Sequence, residues 1–203
     1  MDDRARPLLE RDVDPDPLRQ FETWFREAGA AVRAPEAMAV AAAAATGAPS
    51  VRMVLLKGFD ERGFVFFTGY DSRKGRELTA NPQAALLFYW DPLGRQVRIE
   101  GLTEGASRGE NERYFHSRPR ASQIAALASQ QSRPLASRET LDARVAALTA
   151  ELEGRDVPLP DAWGGFRLRP DSYEFWQHCE DRLHDRLRYS RDGDGWTVER
   201  LSP

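Results

Sequence analysis

The chain has 203 residues, 41% of them hydrophobic and 30% charged, with 10 Phe, 5 Trp and 5 Tyr. That is enough for one domain with a substantial core and too little for two generous ones. A net charge of −3 with both signs interspersed leaves no basic footprint for nucleic acid, and the single cysteine, Cys179, excludes an intrachain disulfide and fits a reducing compartment. The charged start, Met1 to Pro7, leads into no apolar core, and the Ala39–Ala45 run is too short to span a bilayer, so a soluble cytoplasmic protein with no membrane partner is expected.

Residues 1–16 are polar and rich in Pro and Asp, which predicts a mobile N-terminal arm ahead of a single domain over residues 17–203. A helix is expected from Asp16, with Pro17 in its first turn and Leu18, Phe21, Trp24 and Phe25 on one stripe. Met38–Ala45 reads as helix by propensity and as buried strand by context. Val51–Lys57, Gly63–Thr68, Ala84–Trp90 and Gln96–Gly101 are short β-branched or aromatic runs separated by turns at Asp60–Gly63 and Asp91–Gly94. Strands this closely spaced predict an antiparallel sheet or barrel. Ser72 caps a short helix over Arg73–Ala80, and further helices are expected at Ser107–Phe115, Ser122–Ala128 and Ser137–Glu153, the last with Leu141, Val145, Leu148 and Leu152 on one face. Strand signals return at Gly165–Leu168, Ser172–Trp176, Arg182–Tyr189 and Gly195–Leu201.

Two places read as anion sites. Ser72-Arg73-Lys74 opens a helix, where free backbone N–H groups and the dipole already favour an anion; the same residues also fit an ordinary cap followed by solvated cations. Tyr114, Arg118 and Ser122 offer a hydroxyl, a guanidinium fork and a second hydroxyl, although Tyr114 could equally pack in the core. In an extended strand Arg182, His184 and Arg186 would share a face, and stacked like charges ask for an anionic ligand. The phosphate-loop, dinucleotide-binding and zinc-protease signatures are absent, and His178, Cys179 and His184 match no zinc spacing, so no metal is expected. Five residues apart on a strand, Cys179 and His184 would face opposite ways, which weighs against a nucleophile pair.

Taken together these segments resemble the pyridoxine/pyridoxamine 5′-phosphate oxidase family. The resemblance is carried by Arg52-Met-Val-Leu-Leu-Lys57, Phe67-Thr-Gly-Tyr-Asp-Ser-Arg-Lys74, Asn81–Trp90, Arg95–Val97, Tyr114–Ile124 and Gln131-Ser132. It continues through Val157–Arg167, Glu174–Gln177, Arg182-Leu-His-Asp-Arg186 and Trp196–Pro203, covering residues 14–203 in colinear order. It implies a mainly β fold with flanking helices, an antiparallel FMN-binding split β-barrel, and a homodimer with FMN at the interface. By matching positions Arg52, Met53, Val54, Leu55, Leu56, Lys57, Phe67, Thr68, Arg73 and Lys74 would hold FMN, together with Gln96, Gln131, Ser132, Trp176 and Arg186. Lys57, Tyr114, Arg118 and Ser122 would grip the substrate phosphate, with Arg182 and His184 as the catalytic pair around the pyridine ring.

The implied reaction is oxidation of pyridoxine or pyridoxamine 5′-phosphate by O₂ to pyridoxal 5′-phosphate and H₂O₂, with ammonia from the amine, the last step in making the vitamin B6 cofactor. The cofactor carries that electron chemistry, which fits the lack of a catalytic triad. Where the family commonly has one or two glycines after Glu174-Phe-Trp-Gln177, this chain has His178-Cys179, and the family's basic N-terminal arm has only Arg4 and Arg6 as counterparts. Two alternatives remain: a related flavoprotein acting on another ring, of the phenazine type, and a flavin or vitamer carrier on the same scaffold.

Overall fold

In the computed structural model, residues 7–203 are described. Asp16 starts α1 (Pro17–Ala31): its carboxylate accepts from the Leu18 N–H at 2.9 Å, and Pro17 occupies the first turn. The apolar stripe of α1 is buried. Phe21 meets Phe64 edge-on at 4.9 Å and Phe59 at 5.1 Å, while Trp24 meets Phe175 at 5.2 Å. Burying each such ring contributes about 2 to 3 kcal/mol.

The Ala-rich segment becomes a strand, β1 (Ala37–Ala43), lying between β2 (Pro49–Leu55) and β5 (Gln83–Trp90). Helix propensity loses here because Met38, Val40 and Ala42 alternate into the core and both edges are hydrogen-bonded. After β2 the chain crosses over. The Leu56 N–H donates to the Glu36 carbonyl, and the Lys57 N–H donates to the Val65 carbonyl at 2.8 Å. This leads into the hairpin of β3 (Gly58–Asp60) and β4 (Gly63–Gly69). Helix α2 (Arg73–Ala80) follows, capped by Ser72, whose hydroxyl accepts from the Gly75 N–H at 3.2 Å. The turn at 91–94 closes on Gly94 in the left-handed region (φ 59°) and leads into β6 (Arg95–Gly105).

Helices α3 (Arg108–Ser117), α4 (Arg120–Ala128) and α5 (Arg138–Glu151) fill the crossover, with a satellite core of Phe115, Ile124, Leu152 and Val157. Val145 and Leu148 pack on that core as the stripe predicts, whereas Leu141 stays outside it. The chain returns as β7 (Trp163–Gln177), then β8 (Asp185–Asp192) and β9 (Gly195–Arg200). All pairings are antiparallel, in the order β2-β1-β5-β6-β7-β4-β3, and β8 also pairs with β7 and carries β9. The two strands expected at 165–168 and 172–176 are one. Pro170 is absorbed where the β6–β7 register shifts at Glu100/Gly101, and Gly101 permits the approach because a Cβ there would lie 2.0 Å from the Arg169 carbonyl oxygen. β7 pairs with β4 through its first part and with β8 through its last, so the sheet branches and curls into a half-barrel with helices on its flank.

The expected arm divides. Residues 1–6, including Arg4 and Arg6, lie outside the described residues. Residues 7–16 are docked: Leu8 is buried, its N–H donates to Asp185 at 2.9 Å, and Glu10 pairs with Arg200 at 2.8 Å. The strand expected over Arg182–Tyr189 begins only at Asp185. Glu180–Arg182 form a tight turn with Asp181 and Arg182 both left-handed (φ 55° and 62°), so Arg182, His184 and Arg186 do not share a strand face. The same turn brings Cys179 and His184 together rather than apart.

Candidate active site

A cavity of about 930 Å³ opens between the end of β4, the start of α2, helix α3 and the segment after α4. Lys74 enters from the first turn of α2 with its side chain buried, and its Nζ donates to Thr68 Oγ1 at 2.8 Å and Gln131 Oε1 at 3.3 Å. Gln131 Oε1 also accepts from Thr68 Oγ1 and from the Gly69 N–H, at 2.9 and 3.1 Å. Among the described residues Lys74 has no carboxylate partner. Burial, and then the neighbouring Arg52 guanidinium, pull its pKa below the ordinary lysine value.

On the opposite wall, Arg118 follows α3 and lays its guanidinium over Trp163 at 4.8 Å and Phe115 at 5.8 Å. Its Nη1 is buried with no hydrogen-bond partner among the described residues. Burial lowers its pKa, partly offset by Tyr114. Arginine remains charged regardless, so this is a desolvated cation with a free donor. Tyr114 stacks on Phe67 at 4.0 Å, and Phe67 on Trp163 at 5.4 Å, which makes an aromatic wall beside both cations. Lys57 lies at the rim, where it also borders a smaller cavity of about 370 Å³.

The position of this wall depends on a polar knot. Asn111 Oδ1 accepts from the Gly165 N–H at 2.8 Å, its Nδ2 donates to Tyr70 Oη at 3.0 Å, and Tyr70 Oη donates to the Gly165 carbonyl at 3.3 Å. Asn111 sits one turn before Tyr114 on α3. A Cβ on Gly164 would lie 2.1 Å from Tyr70 Oη and 2.5 Å from Asn111 Nδ2. Gly164→Ala is therefore expected to cost about 2 kcal/mol or more through overpacking, read as a lower urea midpoint with an unchanged slope.

Of the residues singled out in the sequence, Met53, Val54, Leu55, Lys57, Phe67 and Thr68 border the large cavity, as do Lys74, Tyr114, Arg118 and Gln131. Leu56 turns into the core. Arg52 and Arg73 lie off the cavity wall, both bound to the buried carboxylate of Glu77. Ser122 sits in the first turn of α4 and Ser132 in a left-handed turn (φ 67°); neither borders the cavity. A second group gathers elsewhere. Gln96, Trp176 and Arg186 are register neighbours across β6, β7 and β8, and the His184 ring lies 4.6 Å from Trp176. Arg186 is held by both oxygens of Glu174 at 2.9 and 3.2 Å. His184 Nδ1 accepts from the Cys179 N–H at 3.2 Å, which leaves its Nε2 to carry the proton. The Cys179 thiol donates to Asp185 at 3.4 Å, and burial raises its pKa, so it is no activated nucleophile.

Sequence reasoning missed three residues. Glu77 had a legible signal in its spacing of four from Arg73 on one helix, whereas Asn111 and the stacking role of Trp163 had none, because their partners come from distant strands.

Known proteins share this architecture and much of this sequence. Residues 25–150 match the family described as pyridoxamine 5′-phosphate oxidase, and residues 163–203 match the pyridoxine 5′-phosphate oxidase C-terminal dimerisation region. A pyridoxine/pyridoxamine 5′-phosphate oxidase of Rubrobacter xylanophilus is 56% identical over 97% of this chain and 91% of its own length. One of Burkholderia cenocepacia is 57% identical over 97% and 93%. Among solved structures, PhzG from Burkholderia lata, in complex with tetrahydrophenazine-1-carboxylic acid, superposes with a TM-score of 0.92 at 37% identity, covering 98% of this chain and all (100%) of that one. A pyridoxamine 5′-phosphate oxidase-related, FMN-binding protein of Nostoc punctiforme shares the fold at a TM-score of 0.74 and 15% identity. With family matches over both parts of the chain and relatives above half identity along nearly all of it, this protein belongs to the pyridoxamine 5′-phosphate oxidase family.

Proposed function

We propose that this chain is an FMN-dependent oxidase that converts pyridoxine 5′-phosphate and pyridoxamine 5′-phosphate to pyridoxal 5′-phosphate. The observation that carries this reading is a pair of cations facing one cavity without carboxylate partners among the described residues: Lys74, which is buried, and Arg118, which is half-buried with its Nη1 buried and unpaired. Two desolvated cations on opposite walls of one cavity ask for two anionic groups, as a phosphorylated cofactor and a phosphorylated substrate provide.

FMN is the cofactor this site fits. The N-terminus of α2, Lys74, Thr68 and Gln131 form a polar cradle for its phosphate, and Met53, Val54 and Leu55 line the same cavity for its ring. Bound there, FMN supplies the two-electron acceptor chemistry and the passage of those electrons to O₂. The protein's own contribution is placement. Arg118, Tyr114 and Lys57 hold the substrate phosphate against the Phe67–Tyr114–Trp163 wall, which keeps water from that side of the ring. Net, amine, O₂ and water give aldehyde, ammonia and H₂O₂; alcohol and O₂ give aldehyde and H₂O₂.

Arg182 and His184, with Gln96, Trp176 and Arg186, complete the site from a second copy. Their group does not border the cavity of their own chain, and most of it falls in the region whose family description is dimerisation. Exposed apolar side chains on the edge strand β2, Val51 at 69% and Met53 at 65%, suit burial in that contact. His184, with its proton on Nε2, offers a donor to a ring oxygen. Among the described residues no helix is long and apolar enough to cross a membrane.

The likeness to PhzG favours a second reading, oxidation of a phenazine-type ring. The unpartnered Arg118 beside Tyr114 weighs toward a phosphorylated substrate. Aerobic turnover of FMN-loaded protein with each phosphorylated vitamer, following aldehyde and H₂O₂ together, tests the choice. Equimolar aldehyde and H₂O₂ is the expected result; a yellow protein inert toward both substrates would overturn the reading.

A further inference from the structure

We propose that Glu77 is a positioning residue that holds the Arg52 and Arg73 guanidinium groups, which lie just off the cavity wall beside its lining residues Met53 and Ser72, ready to reach the flavin phosphate; this rests on the FMN reading above. Its carboxylate is 8% exposed and lies between two cations. Oε1 accepts from Arg73 Nε at 2.8 Å, one helical turn earlier on α2. Oε2 accepts from Arg52 Nη2 at 3.1 Å, and from the Ser50 hydroxyl, both on β2. Arg52 in turn is near enough to Lys74 to depress its pKa.

A carboxylate here is electrostatically adverse to an anion site, since it repels the ligand that Arg52, Arg73 and Lys74 would attract. Its geometry supplies the compensating reason. Arg73 is engaged through Nε alone, and its side chain is otherwise 59% exposed, so both Nη groups stay available. Arg52 Nη2 donates to Glu77 and to the Ser50 hydroxyl, and Nη1 donates to the Val40 carbonyl at 3.4 Å, which leaves Nε and one Nη1 hydrogen for a ligand. Arginine loses much rotamer freedom on ordering, and Glu77 imposes that loss before the ligand arrives, which is how pre-organisation raises affinity. With its charge included, Arg52, Arg73, Lys74 and Glu77 sum to two positive charges, matched to a phosphate dianion.

The two effects predict opposite signs. Glu77→Gln keeps the shape and removes the charge. Dissociation constants of the full chain, stripped of flavin, are measured by fluorescence quenching for FMN and for riboflavin, the same ring without phosphate. Positioning predicts FMN weakened by roughly tenfold with riboflavin unchanged. FMN bound as tightly or more tightly, or both flavins weakened in parallel, would overturn the inference. Should Glu77→Gln not fold, Glu77→Asp retracts the carboxylate by one methylene: loss of FMN over riboflavin supports the role, and unchanged discrimination refutes it. A wild-type chain that binds neither flavin would instead remove the FMN reading, and this inference with it.

Discussion

Arg118→Met is expected to raise the KM for a phosphorylated substrate by roughly 10²-fold while the protein itself becomes more stable. The first effect follows from truncating a half-buried charged partner of a charged ligand, which costs about 2 kcal/mol or more. The second follows from the orphaned Nη1. Leaving a buried donor unmade costs about 1 to 3 kcal/mol, whereas the guanidinium recovers roughly 0.5 to 1 kcal/mol from its place over Trp163. The difference favours methionine by about 1 kcal/mol, worth roughly 2 to 4 °C in Tm for a chain of this size. Steady-state kinetics and thermal unfolding of the ligand-free variant check both halves. An unchanged KM, or a lowered Tm, would remove Arg118 from the phosphate site.

Arg182→Ala is expected to reduce turnover by roughly 10²- to 10³-fold, the cost of one electrostatic donor at a reacting centre, with FMN content unaltered. The native residue already sits at φ 62°, so alanine adds no new backbone strain. Arg182 does not border the cavity of its own chain, and in the site proposed above it serves a second copy's cavity. Mixing Arg182→Ala with Arg118→Met chains and letting dimers exchange should therefore restore about a quarter of wild-type activity, since half the dimers then carry one intact site. No recovery on mixing would place both residues in the same site of one chain.

What the sequence determined by itself was what a few neighbouring residues can encode. The Asp16 and Ser72 caps, the Gly94 turn, the strand runs around the β3–β4 hairpin and the buried stripe of α1 stand where local chemistry puts them. Colinear motifs were enough to indicate the family, and with it the antiparallel class. The tertiary structure decided whatever depends on distant partners. An alanine run became β1 because two strands were waiting to pair with it. Pro170 failed to end β7 because Gly101, on a neighbouring strand, left room for its bulge. The alternation of Arg182, His184 and Arg186 predicted a shared face, but consecutive left-handed residues turned the chain before the strand began. Arg52 and Arg73 stand out in the sequence as cofactor candidates and Glu77 does not; only folding brings both arginines onto its one buried carboxylate. The sequence offers Arg118 as the guanidinium fork of an anion site, but only when helix α3 and Trp163 enclose it does desolvation, a property of the whole environment, turn its charge into a demand for a ligand.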